Sequence, residues 1–208
     1  MKILGIDEAG RGPVIGSLVV CGVLVSEEQL EFMEKIGIKD SKKVAPKKRS
    51  LLSRKINKIA ECFVVKISAQ DIDNMRAKNI NLNEIEKIAM MKIIKESQAQ
   101  SVIIDSVDVN PSRLCREISE VLGPEIDIKA EHGADDNYVV VAAASIVAKV
   151  ERDMEIEKLK RQYRKLGNIG SGYPSDPRTK AFLKNFKYDN MPEFVRKSWA
   201  TVKKMKDL

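Results

Sequence analysis

A glycine-rich turn set between two short apolar runs decides what architecture is open to this chain. Residues 2–7 (KILGID) read as a strand ending in an acid, which runs into Glu8-Ala9-Gly10-Arg11-Gly12-Pro13, where glycine and proline favour a turn. Leu18 to Val25 is rich in valine and leucine, so a second strand is expected to return antiparallel across that turn. The turn also resembles the start of a dinucleotide site. However, Gly10-Arg11-Gly12-Pro13-Val14-Ile15-Gly16 has the wrong third spacing and leads into a strand, not the helix whose N-terminus would hold a pyrophosphate.

Downstream, strands alternate with helices. Ser26 with Glu27 and Glu28 starts a helix carrying Leu30, Phe32, Met33 and Ile36. Pro46 suits the first turn of another, with Leu51, Leu52, Ile56 and Ile59 on its apolar face. Cys62 to Ile67 is the next strand, followed by helix starts at Ser68-x-x-Asp71 and Asn81-x-x-Glu84. Val102 to Ile104 delivers Asp105. A helix then runs from Asn110-Pro111 to Leu122, stopped by Gly123-Pro124, and Ile126, Ile128 and Ala130 alternate as a short strand.

Asn137 to Leu166 reads as one long helix ending at Gly167, residues 170–174 as a loop, and 177–206 as mainly helical. A hairpin followed by such alternation predicts an α/β fold: a mixed five-stranded sheet flanked by helices, with a C-terminal helical extension. The expected division is a core over 1–170 and an extension over 171–208. In such a sheet the strand ends carrying Asp7 and Asp105 can lie side by side.

At 208 residues the chain can bury one full core. No apolar run approaches the roughly 18 to 20 residues that span a bilayer. Val14 to Val25 is interrupted by Gly16, Ser17 and Gly22 and reads as buried strand, so the expected location is the cytoplasm. Cys21, Cys62 and Cys115 have no paired spacing, and the single histidine, His132, cannot build a multi-histidine zinc centre. A catalytic metal would then be held by oxygen, which favours magnesium or manganese.

Basic residues outnumber acidic ones 37 to 30, for a net charge of +7. Eight of the basic residues fall between Lys42 and Lys58 with no acid among them. Fourteen more lie between Lys158 and Lys206 against three acids. Basic flanks around an acidic centre suit nucleic acid and a hydrolytic site.

The acids of interest are Asp7 and Glu8 at a strand end, Asp105 at another, and Asp135 ahead of the long helix. Strand neighbours point to opposite faces, so Asp7 and Glu8 share a site only if the backbone bends there, as Gly10 and Gly12 would permit. Asp135 could equally cap the helix, and spacing leaves Asp108 and Asp136 as competitors. Four converging acids would be costly to bury unpaired. Two divalent ions about 4 Å apart would relieve that cost and supply the means to hydrolyse a phosphodiester.

The segments GIDEAGRGPVIG (5–16), DSKK (40–43), IIDSVDVNP (103–111), ADDNYVVVAAASIVAKVERD (134–153) and GSGYPSDP (170–177) resemble type 2 ribonuclease H, ribonuclease HII, especially its archaeal branch. The likeness runs in order along nearly the whole chain, and type 2 is expected over type 3 because no domain precedes the first strand. It implies a ribonuclease H-like fold. It also implies a catalytic, metal-binding set of Asp7, Glu8, Asp105 and Asp135, with Asp135 matching the acid of the Ala-Asp element.

By the same resemblance, Gly10, Arg11 and Gly12 read the 2′-hydroxyl with their backbone, and Tyr173 packs on the sugar at an RNA-to-DNA junction. Ser41, Lys42 and Lys43 match the element that contacts phosphate. Ser145, Lys149 and Arg152 can share a helix face, for substrate contact or for packing. His132 stands where the family often has lysine nearby, and its role is open. Trp199 is expected in a C-terminal helix as a core residue, with the lysines around it as a secondary binding surface.

The activity implied is hydrolysis of RNA in RNA/DNA hybrids and incision 5′ to ribonucleotides in duplex DNA, by two Mg2+ or Mn2+ ions, leaving 3′-hydroxyl and 5′-phosphate ends. A monomer is expected, and a replication clamp stays open as a partner. Two rivals remain at this stage: a junction resolvase or transposase-like nuclease, which would cut branched DNA, and a hybrid-binding module that yields no metal-dependent products.

Overall fold

The two N-terminal runs form the hairpin expected of them: β1 (Lys2–Ala9) pairs antiparallel with β2 (Leu18–Ser26). A computed structural model describes residues 1–38 and 45–206, so Ser41, Lys42 and Lys43 lie outside the described residues. The ladder runs unbroken through Asp7 opposite Cys21 and Glu8 opposite Val20. The turn therefore begins after both acids, not at Glu8 as the sequence suggested.

After the hairpin come α1 (Glu27–Lys35), α2 (Pro46–Ile59), β3 (Glu61–Ile67), α3 (Ala69–Ala77), α4 (Leu82–Ser97), β4 (Ser101–Asp105), α5 (Pro111–Leu122), β5 (Asp127–Glu131), α6 (Ala134–Asn137), α7 (Val139–Gln162), α8 (Pro177–Leu183) and α9 (Ala200–Lys203). The local signals work as read. Ser26 caps α1 through a full capping box with Gln29, Ser68 caps α3, and the Asn110 side chain accepts from Arg113 N to start α5.

The sheet has five strands in the order β3-β2-β1-β4-β5, with β4 parallel to both β1 and β5. Ile6 pairs with Ile104, so the next residues, Asp7 and Asp105, leave adjacent strands at the same end.

Two expectations fail. The long helix is not continuous from Asn137: a single turn, α6, stops at Tyr138, whose φ of −119° and ψ of 120° are extended, and α7 starts afresh. The far end tightens into a 3-10 turn at Arg164–Leu166. Residues 177–206 are not mainly helical either. They hold α8, a 3-10 turn at Tyr188–Asn190 and the single turn α9, joined by irregular backbone. Aromatic packing and long-range hydrogen bonds hold that stretch, and Trp199 caps α9 without lying inside it.

The chain forms two compact units. The first comprises Met1–Ala9, Val19–Val65 and Asn83–Val150. Its core joins Val19, Cys21, Val23 and Val25 of β2 to Met33, Leu52, Ile56 and the apolar first half of α7. The alanines of α7 and Gly5 of β1 allow close packing: a Cβ at Gly5 would lie 2.5 Å from the backbone carbon of Val140. The second unit comprises Gly10–Leu18, Lys66–Leu82 and Glu151–Leu208, and the boundary expected at 170 falls inside it. Its core gathers Val14, Ile15, Ile156, Ile169, Phe182, Leu183 and Val195, with Tyr163 and Phe194 edge-on at 4.7 Å. Among the described residues, no helix is long and apolar enough to cross a membrane.

Candidate active site

Asp7, Asp105 and Asp135, all in the first unit, each place a carboxylate oxygen within 4.8 Å of the others. Parallel pairing of β1 and β4 brings the first two together. The third arrives through α6, which follows β5 after a left-handed turn at Gly133 (φ 66°, ψ 31°). That turn also aims two backbone amides at the strand end: Gly133 N and Ala134 N donate to Asp105 Oδ1 at 2.8 and 3.2 Å.

Asp7 is 5% exposed and Asp135 4%. Burial, with the negative charges of Asp105 and Asp135 nearby, pushes Asp7 up to about 7, against the opposing pull of the Ser145 hydroxyl bond and the Glu8 amide. Burial and Asp135 likewise push Asp105 up to about 6. A cluster that resists its own ionisation in this way is built for a cation, and its all-oxygen donor set fits a hard divalent one.

The rival acids are accounted for. Asp108 is buried, and the Asn110 amide, followed by Arg113, whose Nη2 donates to both carboxylate oxygens at 2.8 and 2.7 Å, holds it below the ordinary range. Asp136 is exposed and outside the cluster. Glu8 does not join a group of three within that distance, which follows from strand alternation continuing past Asp7. Ser145, on α7, bonds Asp7 directly, while Lys149 is exposed. His132 is exposed with Nδ1 2.8 Å from Ser106 O. A carbonyl can only accept, so the proton sits on Nδ1.

In the second unit, the Gly10-Arg11-Gly12 turn and the Tyr173 loop are built together. Gly10 takes φ +88°, and a Cβ there would lie 2.7 Å from Ser17 O and 2.9 Å from Arg152 Cδ. Gly12 lies beneath Tyr173, whose ring would be 3.4 Å from a Cβ. Val14 N and Ile15 N both donate to Gly172 O at 2.8 and 3.2 Å, tying the two loops. Arg152 is 7% exposed; it donates to Ser171 O at 3.1 Å and lies 5.4 Å over the Tyr173 ring.

Arg196 escaped the reading of the sequence. Fully buried, it donates to Gly10 O at 2.6 Å, Arg11 O at 3.0 Å and Gly16 O at 2.9 Å, and its guanidinium lies 4.8 Å over Trp199. Trp199 Nε1 donates to Gly12 O at 3.1 Å. All three carbonyls of the turn are thereby drawn to one side. A trans peptide sets N–H opposite C=O, so the amides of Arg11 and Gly12 point the other way. In the sequence Arg196 is one basic residue among many; no local pattern marks a bond spanning more than 180 positions.

A family model described as Ribonuclease HII matches residues 4–202. The ribonuclease HII of Methanothermobacter thermautotrophicus is 63% identical over 206 residues, spanning 99% of this chain and 100% of that one. The crystal structure of the ribonuclease H2 from Pyrococcus horikoshii OT3 superposes with a TM-score of 0.90 at 40% identity, covering 100% of this chain and 98% of that one. The ribonuclease HII solved in the PCNA:RNase HII complex from Archaeoglobus fulgidus superposes at 0.87 with 44% identity, covering 96% and 95%. The aspartates at the end of the sheet thus sit in a chain that matches these proteins almost from end to end, and it belongs to the archaeal branch of the ribonuclease HII family, endonucleases that cut the RNA strand of RNA/DNA hybrids.

Proposed function

We propose that this enzyme also incises duplex DNA on the 5′ side of an embedded ribonucleotide, leaving 3′-hydroxyl and 5′-phosphate ends, with two divalent cations, Mg2+ or Mn2+, held by Asp7, Glu8, Asp105 and Asp135. The observation that carries the reading is the convergence of Asp7, Asp105 and Asp135 to within 4.8 Å, in a setting that opposes the ionisation of Asp7 and Asp105. Bound there, the ions would activate water for in-line attack and stabilise the leaving oxygen, with no covalent enzyme intermediate.

The chain's own groups orient this chemistry. Ser145 fixes the Asp7 carboxylate, and the Gly133 and Ala134 amides fix Asp105. Glu8, outside the group of three as the strand stands, would serve as the fourth ligand by swinging towards it when ions bind. In the second unit, the outward amides of the 10–12 turn read the 2′-hydroxyl, while Tyr173, steadied by Arg152, covers the sugar. Ser41, Lys42, Lys43 and Lys149 contact phosphates. The reading includes a monomer working in the cytoplasm, and the Archaeoglobus relative's complex with PCNA makes a replication clamp the partner to test first.

The test uses end-labelled duplex DNA with one ribonucleotide, in magnesium, manganese or chelator. Incision 5′ to the ribonucleotide in either metal and none in chelator is expected. Metal-independent cutting, or cutting of all-DNA duplex at the same rate, would overturn the proposal.

A further inference from the structure

A second basic hollow, separate from the glycine turn but built on the same tryptophan, lies within the second unit. It encloses about 300 Å3 and is lined by Asp73, Arg76, Tyr188, Lys197, Ser198 and Lys203. Three of these side chains are cations. None of the three has a carboxylate partner within ion-pair distance among the described residues.

The one acid present is already engaged: Asp73 accepts from the backbone amides of Lys197 at 2.6 Å and Ser198 at 2.9 Å. Those bonds fix the 197–198 backbone and turn the Asp73 carboxylate to its amides, one negative charge against three positive ones in the hollow. The Ser198 hydroxyl is shut off from solvent and has no hydrogen-bond partner among the described residues. A buried hydroxyl without a partner calls for one.

Cations, a hydroxyl donor and a phenol ring together form the donor set of a phosphate site. Lys197 and Lys206 both lie over the Tyr188 ring, at 5.7 and 5.9 Å, which keeps further positive charge at the rim. Trp199 links the hollow to the turn. Arg76 lies 5.2 Å over the indole and Arg196 4.8 Å, while the indole N–H holds Gly12 O.

We propose that this hollow is a phosphate subsite that takes a phosphodiester of the substrate strand outside the ribonucleotide read at Gly10-Arg11-Gly12. The inference rests on the reading of that turn as the ribonucleotide-sensing element. Its role is to grip the flanking nucleic acid, so that affinity grows with flank length independently of the sugar being tested.

The experiment measures the affinity of the full chain for a ribonucleotide-containing duplex by fluorescence anisotropy in chelator, across a salt series. It compares the parent, the double variant Lys197→Ala with Lys203→Ala, and Lys95→Ala, which removes an exposed charge on α4. Each lost phosphate contact lowers the slope of log K against log salt by about 0.9. The double variant removes the one contact that the hollow makes, so it should lose about 0.9 of slope, and up to about 8-fold in affinity at 0.1 M salt when that slope is carried to a 1 M reference. Lys95→Ala should match the parent. Ser198→Ala, which leaves every charge in place, should weaken binding without changing the slope.

An unchanged slope in the double variant, with its thermal unfolding as in the parent, overturns the subsite. So does loss of competition by inorganic phosphate at constant ionic strength while duplex affinity stays intact, since that would mark a free-phosphate site. Failure of the functional reading looks different: the parent itself would not incise the ribonucleotide duplex in magnesium.

Discussion

Asp7 is where burial and chemistry oppose each other most directly. An unfolded chain holds an aspartate near its ordinary value of 3.8, whereas the native site lifts Asp7 to about 7 and Asp105 to about 6. Between pH 4 and pH 7 the native state therefore binds more protons than the unfolded state. The metal-free protein should lose stability as pH rises through that window. A divalent cation reverses the sign by favouring the ionised form. The gain in melting temperature on adding magnesium should thus be small at pH 5 and grow towards pH 8. Asp7→Asn removes the charge that burial penalises. It should abolish cleavage yet melt higher than the metal-free parent at pH 7, with most of the magnesium effect gone. A magnesium gain that is flat with pH, or an Asp7→Asn protein that still cuts at the parent rate, would contradict this account. These acids were legible in the sequence because strand ends and a helix start displayed them. What spacing could not decide was which neighbours compete: Asp108 is withdrawn by Arg113 and Asp136 turns outward, and both outcomes depend on side-chain contacts.

At the scale of elements, the aspartate cluster depends on α7 lying close over β1, and the glycine turn is held by a single side chain. Gly5→Ala puts a carbon 2.5 Å from Val140 backbone, where neither partner is a flexible side chain. Helix and strand must separate, which should cost about 1–3 kcal/mol or more, measured by denaturant unfolding. Because Ser145 reaches Asp7 across that contact, cleavage should fall as well. Arg196→Met keeps bulk but strips the donors from three backbone carbonyls, two of them in buried bonds. With each unpaired group costing about 1–3 kcal/mol, the variant should be destabilised by several. Arg196→Lys keeps the charge without the fork. It should fold better than the methionine variant but lose discrimination between ribose and deoxyribose in paired cleavage assays. Unaltered discrimination in the lysine variant would show that the turn keeps its shape without the fork. Caps and alternating runs made most elements readable. The break at Tyr138 was not, because Tyr138-Val139-Val140 carries no glycine or proline; the chain leaves the helix there to bring Asp135 to the strand ends. Residues 177–206 misled for the opposite reason. Their charged and apolar spacing imitates a helix, while ring packing and the carbonyl bonds of Arg196 fix an irregular path.

Over the whole molecule, a net charge of +7 coexists with a centre of three clustered carboxylates, so attraction for a polyanion and local repulsion of its phosphates are both built in. The balance between them depends on protons and metal. Without metal, acidification from pH 8 to pH 6 adds protons first at Asp7, then at Asp105, and removes negative charge from the site. Affinity for an RNA/DNA hybrid in chelator should accordingly rise over that range. Lysine and arginine stay charged throughout, so they cannot be the source of the change. Magnesium should flatten the profile, because ions neutralise the same carboxylates at every pH where they bind. Asp7→Asn should flatten it in chelator alone, which ties the change to this carboxylate. A hybrid affinity in chelator that rises equally in the parent and in Asp7→Asn would assign the pH dependence to another group and detach substrate binding from the charge state of the aspartate cluster.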